Sequence, residues 1–217
     1  MTRFVRFAVM FIAAFTLGSA AALAQTSTAA PGPDSRFSAL VTAAATLGHN
    51  SSSSFGAEFD YRLMEDYDIF VESGRMRNVT TSDADSRANT IAAFVNGSAH
   101  PIQKATYFDV GVRYRLLLWS DVWHPYVALG VGFASVNTKT VLVSNNPDVN
   151  VQLGPDLSGT VTKPFVMIGF GVRRPFHRRY FADGSYRYGR ILARTSVIDA
   201  DVGSNTQRVQ VGVGLRF

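Results

Sequence analysis

Apolar residues recur at every second position in separate stretches of this chain, with charged, polar or glycine residues between them. In 206–217, Val209, Val211, Val213, Leu215 and Phe217 share one face, and Arg208, Gln210, Gly212, Gly214 and Arg216 share the other. A period of two is the signature of a strand, because successive side chains point to opposite faces. After the first 24 residues there is no run of 18 or more apolar residues, so no transmembrane helix is available. The chain is left with strands that have one apolar and one polar face.

Eight such strands are expected, at 37–47, 55–63, 67–76, 106–118, 125–136, 162–173, 180–191 and 206–217. In the second, Phe55, Ala57, Phe59 and Tyr61 oppose Gly56, Glu58, Asp60 and Arg62. In the third, Ile69 and Val71 oppose Asp68, Phe70 and Glu72. In the fourth, Phe108, Val110, Val112 and Tyr114 oppose Asp109, Gly111, Arg113 and Arg115. The fifth alternates Val127, Leu129, Val131 and Phe133 with Tyr126, Ala128, Gly130 and Gly132. The sixth alternates Val166, Ile168, Phe170 and Val172 with Met167, Gly169, Gly171 and Arg173. The seventh sets Ala182, Tyr186 and Tyr188 against Asp183, Ser185 and Arg187.

The first residues read as an export signal. Arg3 and Arg6 precede an apolar run, Phe7 to Leu17, and Ala22-Leu23-Ala24 is a small-x-small cleavage site. Residues 1–24 are therefore expected to be a signal peptide, and 25–36 a flexible polar lead-in to a barrel over 37–217. The formal charge of +5 falls to +3 without the two signal arginines, which is no nucleic-acid footprint. With no Cys, there is neither a disulfide framework nor thiol chemistry.

Alternation alone does not separate a soluble sandwich, apolar face inward, from a membrane barrel, apolar face outward. Three features favour the barrel. After strands two, four and six the connections are short; after three, five and seven they are longer, as with periplasmic turns and outer loops, with the short loop after strand one as the exception. Aromatic residues fall near strand ends: Tyr67, Tyr107, Trp119, Trp123, Tyr126, Tyr180 and Tyr188, where membrane interfaces favour them. The last strand finishes on Phe217.

That ending, RVQVGVGLRF, resembles the C-terminal assembly signal of outer-membrane barrels. FGAEFDYRL, PYVALGVGFA and SYRYGRI resemble the strands of the small OmpA/OmpX-type outer-membrane β-barrel superfamily. The resemblance implies an all-β, eight-stranded antiparallel up-and-down transmembrane barrel in the bacterial outer membrane, surrounded by its lipid. It implies that the barrel-insertion machinery reads Val209, Val211, Val213, Leu215 and Phe217 as the assembly signal. It does not imply one function, since members of the superfamily differ widely.

The inward charges are the most informative set: the acids Glu58, Asp60, Glu72, Asp109 and Asp183, and the bases Arg62, Arg113, Arg115, Arg187, Arg208 and Arg216. An eight-stranded barrel is just wide enough to hold its own side chains. Charges there must pair, because an isolated buried charge is costly. A salt-bridged plug is expected, with a proton or ion path as the alternative. Asp109 and Glu58 or Asp60 are the expected partners of Arg113 and Arg115. The lumen-side glycines, at 111, 130, 132, 169, 171, 212 and 214, are expected to leave room for Arg and Tyr side chains.

His49, His100, His124 and His177 map to loops or turns without HxH or HxxxH spacing, so neither metal nor cofactor is expected. Lipid A hydrolases that resemble this length carry a His and a Ser close together near the end of a late strand. SYRYGRILART lacks that pair; Ser196 is isolated and His177 lies at the opposite end of the strand. The basic turn RRPFHRR, 173–179, reads either as a contact for anionic phospholipid heads or as a solvated turn. Three roles stay open: a structural or surface-interaction barrel, with loops 77–104 and 137–161 meeting an extracellular ligand; a narrow channel; and an enzyme, the reading the missing His/Ser pair counts against. A monomer that binds no nucleic acid is expected.

Overall fold

A computed structural model describes residues 36–48, 51–94, 96–116, 122–144, 158–192 and 203–217. The expected signal peptide, the lead-in as far as residue 35, His49, Trp119 and Ser196 lie outside the described residues.

Eight strands form one closed barrel. They are β1 (Phe37–Leu47), β2 (Ser52–Arg62), β3 (Tyr67–Met76), β4 (Gly97–Arg115), β5 (His124–Ser144), β6 (Ser158–Pro175), β7 (Tyr180–Ile191) and β8 (Ser204–Arg216). Each pairs antiparallel with its sequence neighbours. The sheet closes where Val41 meets Val213 between β1 and β8. Closure leaves no unpaired edge, as a strand-built membrane span requires.

The two faces are inverted relative to a water-soluble protein. Leu129, Val131 and Phe133 on β5 are 61–65% exposed on the outer wall. Their neighbours across the ladder, including Val110 on β4 and Val166 on β6, are also apolar and exposed. The charged face points into the lumen, where Arg113, Arg187 and Arg208 are each 1% exposed.

The strand positions differ from expectation mainly at one end. β4, β5 and β6 have 19, 21 and 18 residues, whereas crossing a bilayer takes about 9–11. The expected loop 77–104 contains the start of β4 and a helix, α1 (Ser82–Phe94). The expected loop 137–161 is shortened because β5 runs to Ser144 and β6 begins at Ser158. The polar residues of these segments obscured the strands, because outside lipid a ladder needs no apolar face.

Local capping accounts for α1. The Ala84 amide donates to Thr81 Oγ1 at 3.2 Å, and Asp83 and Asp85 sit in the first turn. Asn96, at φ 48°, adopts the left-handed conformation just beyond it. Ala84, Ala88 and Ala92 recur every four residues and are buried. Ala88 and Ala92 pack with Ala99 of β4. An all-alanine stripe carries little apolar contrast, so periodicity did not reveal it.

At the long-loop end the lumen contains an apolar layer that includes Met76, Val79, Val136, Phe165 and Ile191. The segment around Val79 spans this mouth. The Asn78 amide donates to Ser52 Oγ at 3.0 Å, the Val79 amide to the Gln103 carbonyl at 2.8 Å, and Ser204 Oγ to the Val79 carbonyl at 3.3 Å. These bonds tie it to β2, β4 and β8.

Candidate functional site

The middle of the lumen holds a compact set of four carboxylates and four guanidiniums. Arg113 spans Glu58 at 2.5 Å and Asp60 at 2.7 Å. Arg173 reaches Glu58 at 3.1 Å, Asp60 at 2.9 Å and Asp183 at 3.1 Å. Arg187 bridges Glu58, at 2.5 Å, and Glu72. Arg208 pairs with Glu72 at 3.1 Å. Charge balances within this set, and each partner of a buried pair needs the other to offset its desolvation.

Hydroxyl groups complete the acceptors. Ser38 donates to Asp60 at 2.8 Å, Tyr107 to Glu72 at 2.7 Å and Tyr126 to Asp183 at 2.9 Å. Arg208 also donates to the Tyr107 hydroxyl. With these residues, each of the eight strands supplies a side chain to one connected cluster. Aromatic rings support the guanidiniums: Tyr126 lies 4.5 Å from Arg113, Phe181 4.4 Å from Arg173 and Tyr107 4.2 Å from Arg208.

Lumen glycines seat these rings. A Cβ on Gly171 would stand 2.6 Å from the Tyr126 hydroxyl, and one on Gly214 would stand 2.1 Å from Phe181. Both distances are too short for any other residue without movement.

The expected charges do not all join this cluster. Arg115 pairs with Asp68, at 2.5 Å, and Arg62 approaches the same acid at 3.9 Å. Both sit toward the short-turn end with Arg216. Asp109, expected to partner Arg113 or Arg115, does neither. It is fully buried, and neither carboxylate oxygen has a hydrogen-bond partner. On the ladder it stands opposite Glu72 on one side and Gly132 on the other.

Ser38, Asp68, Tyr107, Tyr126 and Arg173 stand outside the expected charge set. Asp68 and Arg173 are legible in the sequence, since both occupy inward positions of their strands; Arg173 also opens the basic turn RRPFHRR. Tyr107 and Tyr126, expected at the interface, are 1% and 2% exposed in the lumen. Tyr126 follows the two-residue alternation of β5, which signalled this. His100 and His124 lie in β4 and β5 rather than in loops.

Phe217 closes the seam at the short-turn end. Its amide donates to the Phe37 carbonyl at 3.0 Å, and its ring stacks on Phe37 at 6.3 Å and 14°. Val209, Val213 and Leu215 are exposed on the outer wall of the same strand.

No curated protein matches the sequence. Neisserial surface protein A, a solved structure, shares 15% identity, with 83% of this chain and 96% of that chain covered and a TM-score of 0.52. The N-terminal β-barrel domain of Pseudomonas aeruginosa OprF shares 17%, covering 83% and 97%, with a TM-score of 0.48. Pseudomonas aeruginosa OprG shares 11%, covering 84% and 96%, with a TM-score of 0.49. At such identities the likeness concerns fold. A family model for the outer membrane protein beta-barrel domain matches residues 10–217, and the chain belongs to that family as an eight-stranded barrel of the bacterial outer membrane.

Proposed function

We propose that this barrel is non-conducting and non-enzymatic, with a structural or surface-interaction role. The carrying observation is the balanced cluster of Glu58, Asp60, Glu72 and Asp183 with Arg113, Arg173, Arg187 and Arg208. It draws side chains from around the wall, leaving its guanidiniums almost wholly buried. The apolar layer under Val79 adds a second barrier of different chemistry.

The outer contact surface in this reading is α1 with the projecting parts of β4 and β5, inside segments 77–104 and 137–161. Phe94 is 85% exposed there, and Ile102 and Val141 are also exposed. Large apolar side chains held in water favour a partner. The protein acts as a monomer set in outer-membrane lipid, placed there by insertion machinery that reads the strand Val209 to Phe217. Residues 1–24 direct its export.

Planar-bilayer recording tests the closed lumen. The wild-type protein is expected to show negligible steady conductance, and a large stable conductance would replace this reading with a channel. That second reading draws on a cavity of about 210 Å³ that enters the lumen from the short-turn end. Whole-cell adhesion and detergent sensitivity, compared with and without residues 82–94, separate surface contact from a purely structural role. Hydrolysis of lipid A by the purified barrel would overturn the non-enzymatic assignment.

A further inference from the structure

The same cavity has an electrostatic peculiarity that a closed lumen does not explain. Its lining includes Arg36, Arg62, Arg115, Arg173 and Arg216, but just two acids, Asp60 and Asp68. Asp60 and Arg173 are engaged with each other and with the central cluster. Arg115 holds Asp68 through Nη2 at 2.5 Å and Nε at 3.2 Å.

That leaves Arg62 and Arg216 poorly compensated. Arg62 Nε is buried without a hydrogen-bond partner, and its approach to Asp68 is 3.9 Å. Arg216 forms no ion pair among the described residues. Its guanidinium lies 5.4 Å from the Phe181 ring centre, and it lines the cavity together with Arg62, Arg115 and Arg173. Five arginines thus line a small volume that holds two carboxylates, Asp60 and Asp68, both already engaged by other arginines. Like charges gathered in a confined mouth call for an anion between them.

We propose that this periplasmic vestibule binds a phosphoryl oxyanion, supplied as free phosphate or as the headgroup of an inner-leaflet phospholipid. Guanidinium forks match phosphate oxygens in pairs, and a tetrahedral anion can serve donors arriving from several strands at once. The side chains of Arg62 and Arg115 are 28% and 22% exposed, so the donors are reachable from the periplasmic side. Arg36 stands at the entrance, one residue before β1. The site does not require the lumen beyond it to be closed or open.

The test uses the whole mature protein refolded in uncharged detergent, titrated with inorganic phosphate by calorimetry. Arg62→Gln, Arg216→Gln and the double variant are compared with Arg178→Gln, in the exposed turn. Saturable binding is expected, weakened at least tenfold in the double variant and unchanged in Arg178→Gln. Because Arg216 holds no ion pair, Arg216→Gln is expected to keep the wild-type heat-modifiable gel shift and still bind more weakly, so loss of folding in the double variant leaves the test intact. A parallel arm measures broadening of the phosphorus resonance in nanodiscs of phosphatidylglycerol against phosphatidylcholine. Broadening that depends on Arg62 and Arg216, without binding of inorganic phosphate, assigns the headgroup as the source. Binding of inorganic phosphate without preference for phosphatidylglycerol assigns the free anion. No binding in either arm, or binding undiminished by the arginine substitutions, overturns the proposal.

Discussion

Arg113 Nη2 lies 2.5 Å from Glu58 Oε1, with both side chains 1% exposed, across a separation of 55 positions. The contact crosses the lumen from β4 to β2, strands that are not ladder neighbours. Arg113→Ala leaves Glu58 with Arg173 and Arg187 and leaves Asp60 with Arg173, but takes one positive charge from a buried, balanced cluster, and is expected to destabilise the barrel by about 3–5 kcal/mol. Arg77→Ala, at an exposed position just beyond β3, is expected to change stability by less than about 0.5 kcal/mol. Urea unfolding in micelles measures both, and equal midpoints would remove the cluster from the stability of the protein.

Asp109 invites the opposite substitution. It is buried without a hydrogen bond to either oxygen, so ionising it costs desolvation that no hydrogen bond offsets. Asp109→Asn keeps the shape and removes the charge, and is expected to raise stability by about 1–3 kcal/mol. A lower unfolding midpoint would show that Asp109 is held by the field of Arg187 and Arg208.

The outer wall is expected to behave as a lipid surface. Val131 is 65% exposed and flanked by Val110 and Val166. Val131→Arg near the middle of the apolar band is expected to cost about 2–4 kcal/mol in lipid vesicles. Lys139→Arg, on the projecting part of β5, is expected to be neutral. A harmless Val131→Arg would move the membrane band elsewhere on the barrel.

Deletion of Phe217 removes the aromatic stack on Phe37 and the amide bond across the seam. Outer-membrane yield is expected to fall, with periplasmic aggregate in its place. Undiminished recovery in the outer-membrane fraction would place the assembly signal elsewhere.

Much of the barrel was readable because strand alternation is local. β1, β3 and β7 have the bounds expected from their own residues, and the inward placement of Glu58, Asp60, Arg113 and Arg187 follows from counting by two. α1 was not readable, since its buried stripe is alanine and its cap is a single threonine. The outer halves of β4 and β5 were not readable either, because polar strands away from lipid look like loops.

The sequence by itself determined which residues share a face and which face carries charge, since the pleat imposes that within any few consecutive residues. Only the tertiary structure decided who pairs with whom. Arg208 reaches Glu72 across 136 positions and Arg173 reaches Glu58 across 115, while Asp109, on the same face as Arg113, reaches no partner. Those outcomes depend on the closure of β1 on β8 and on the stagger of the ladders, which set the height of each side chain in the lumen. A local repeat carries no record of that height.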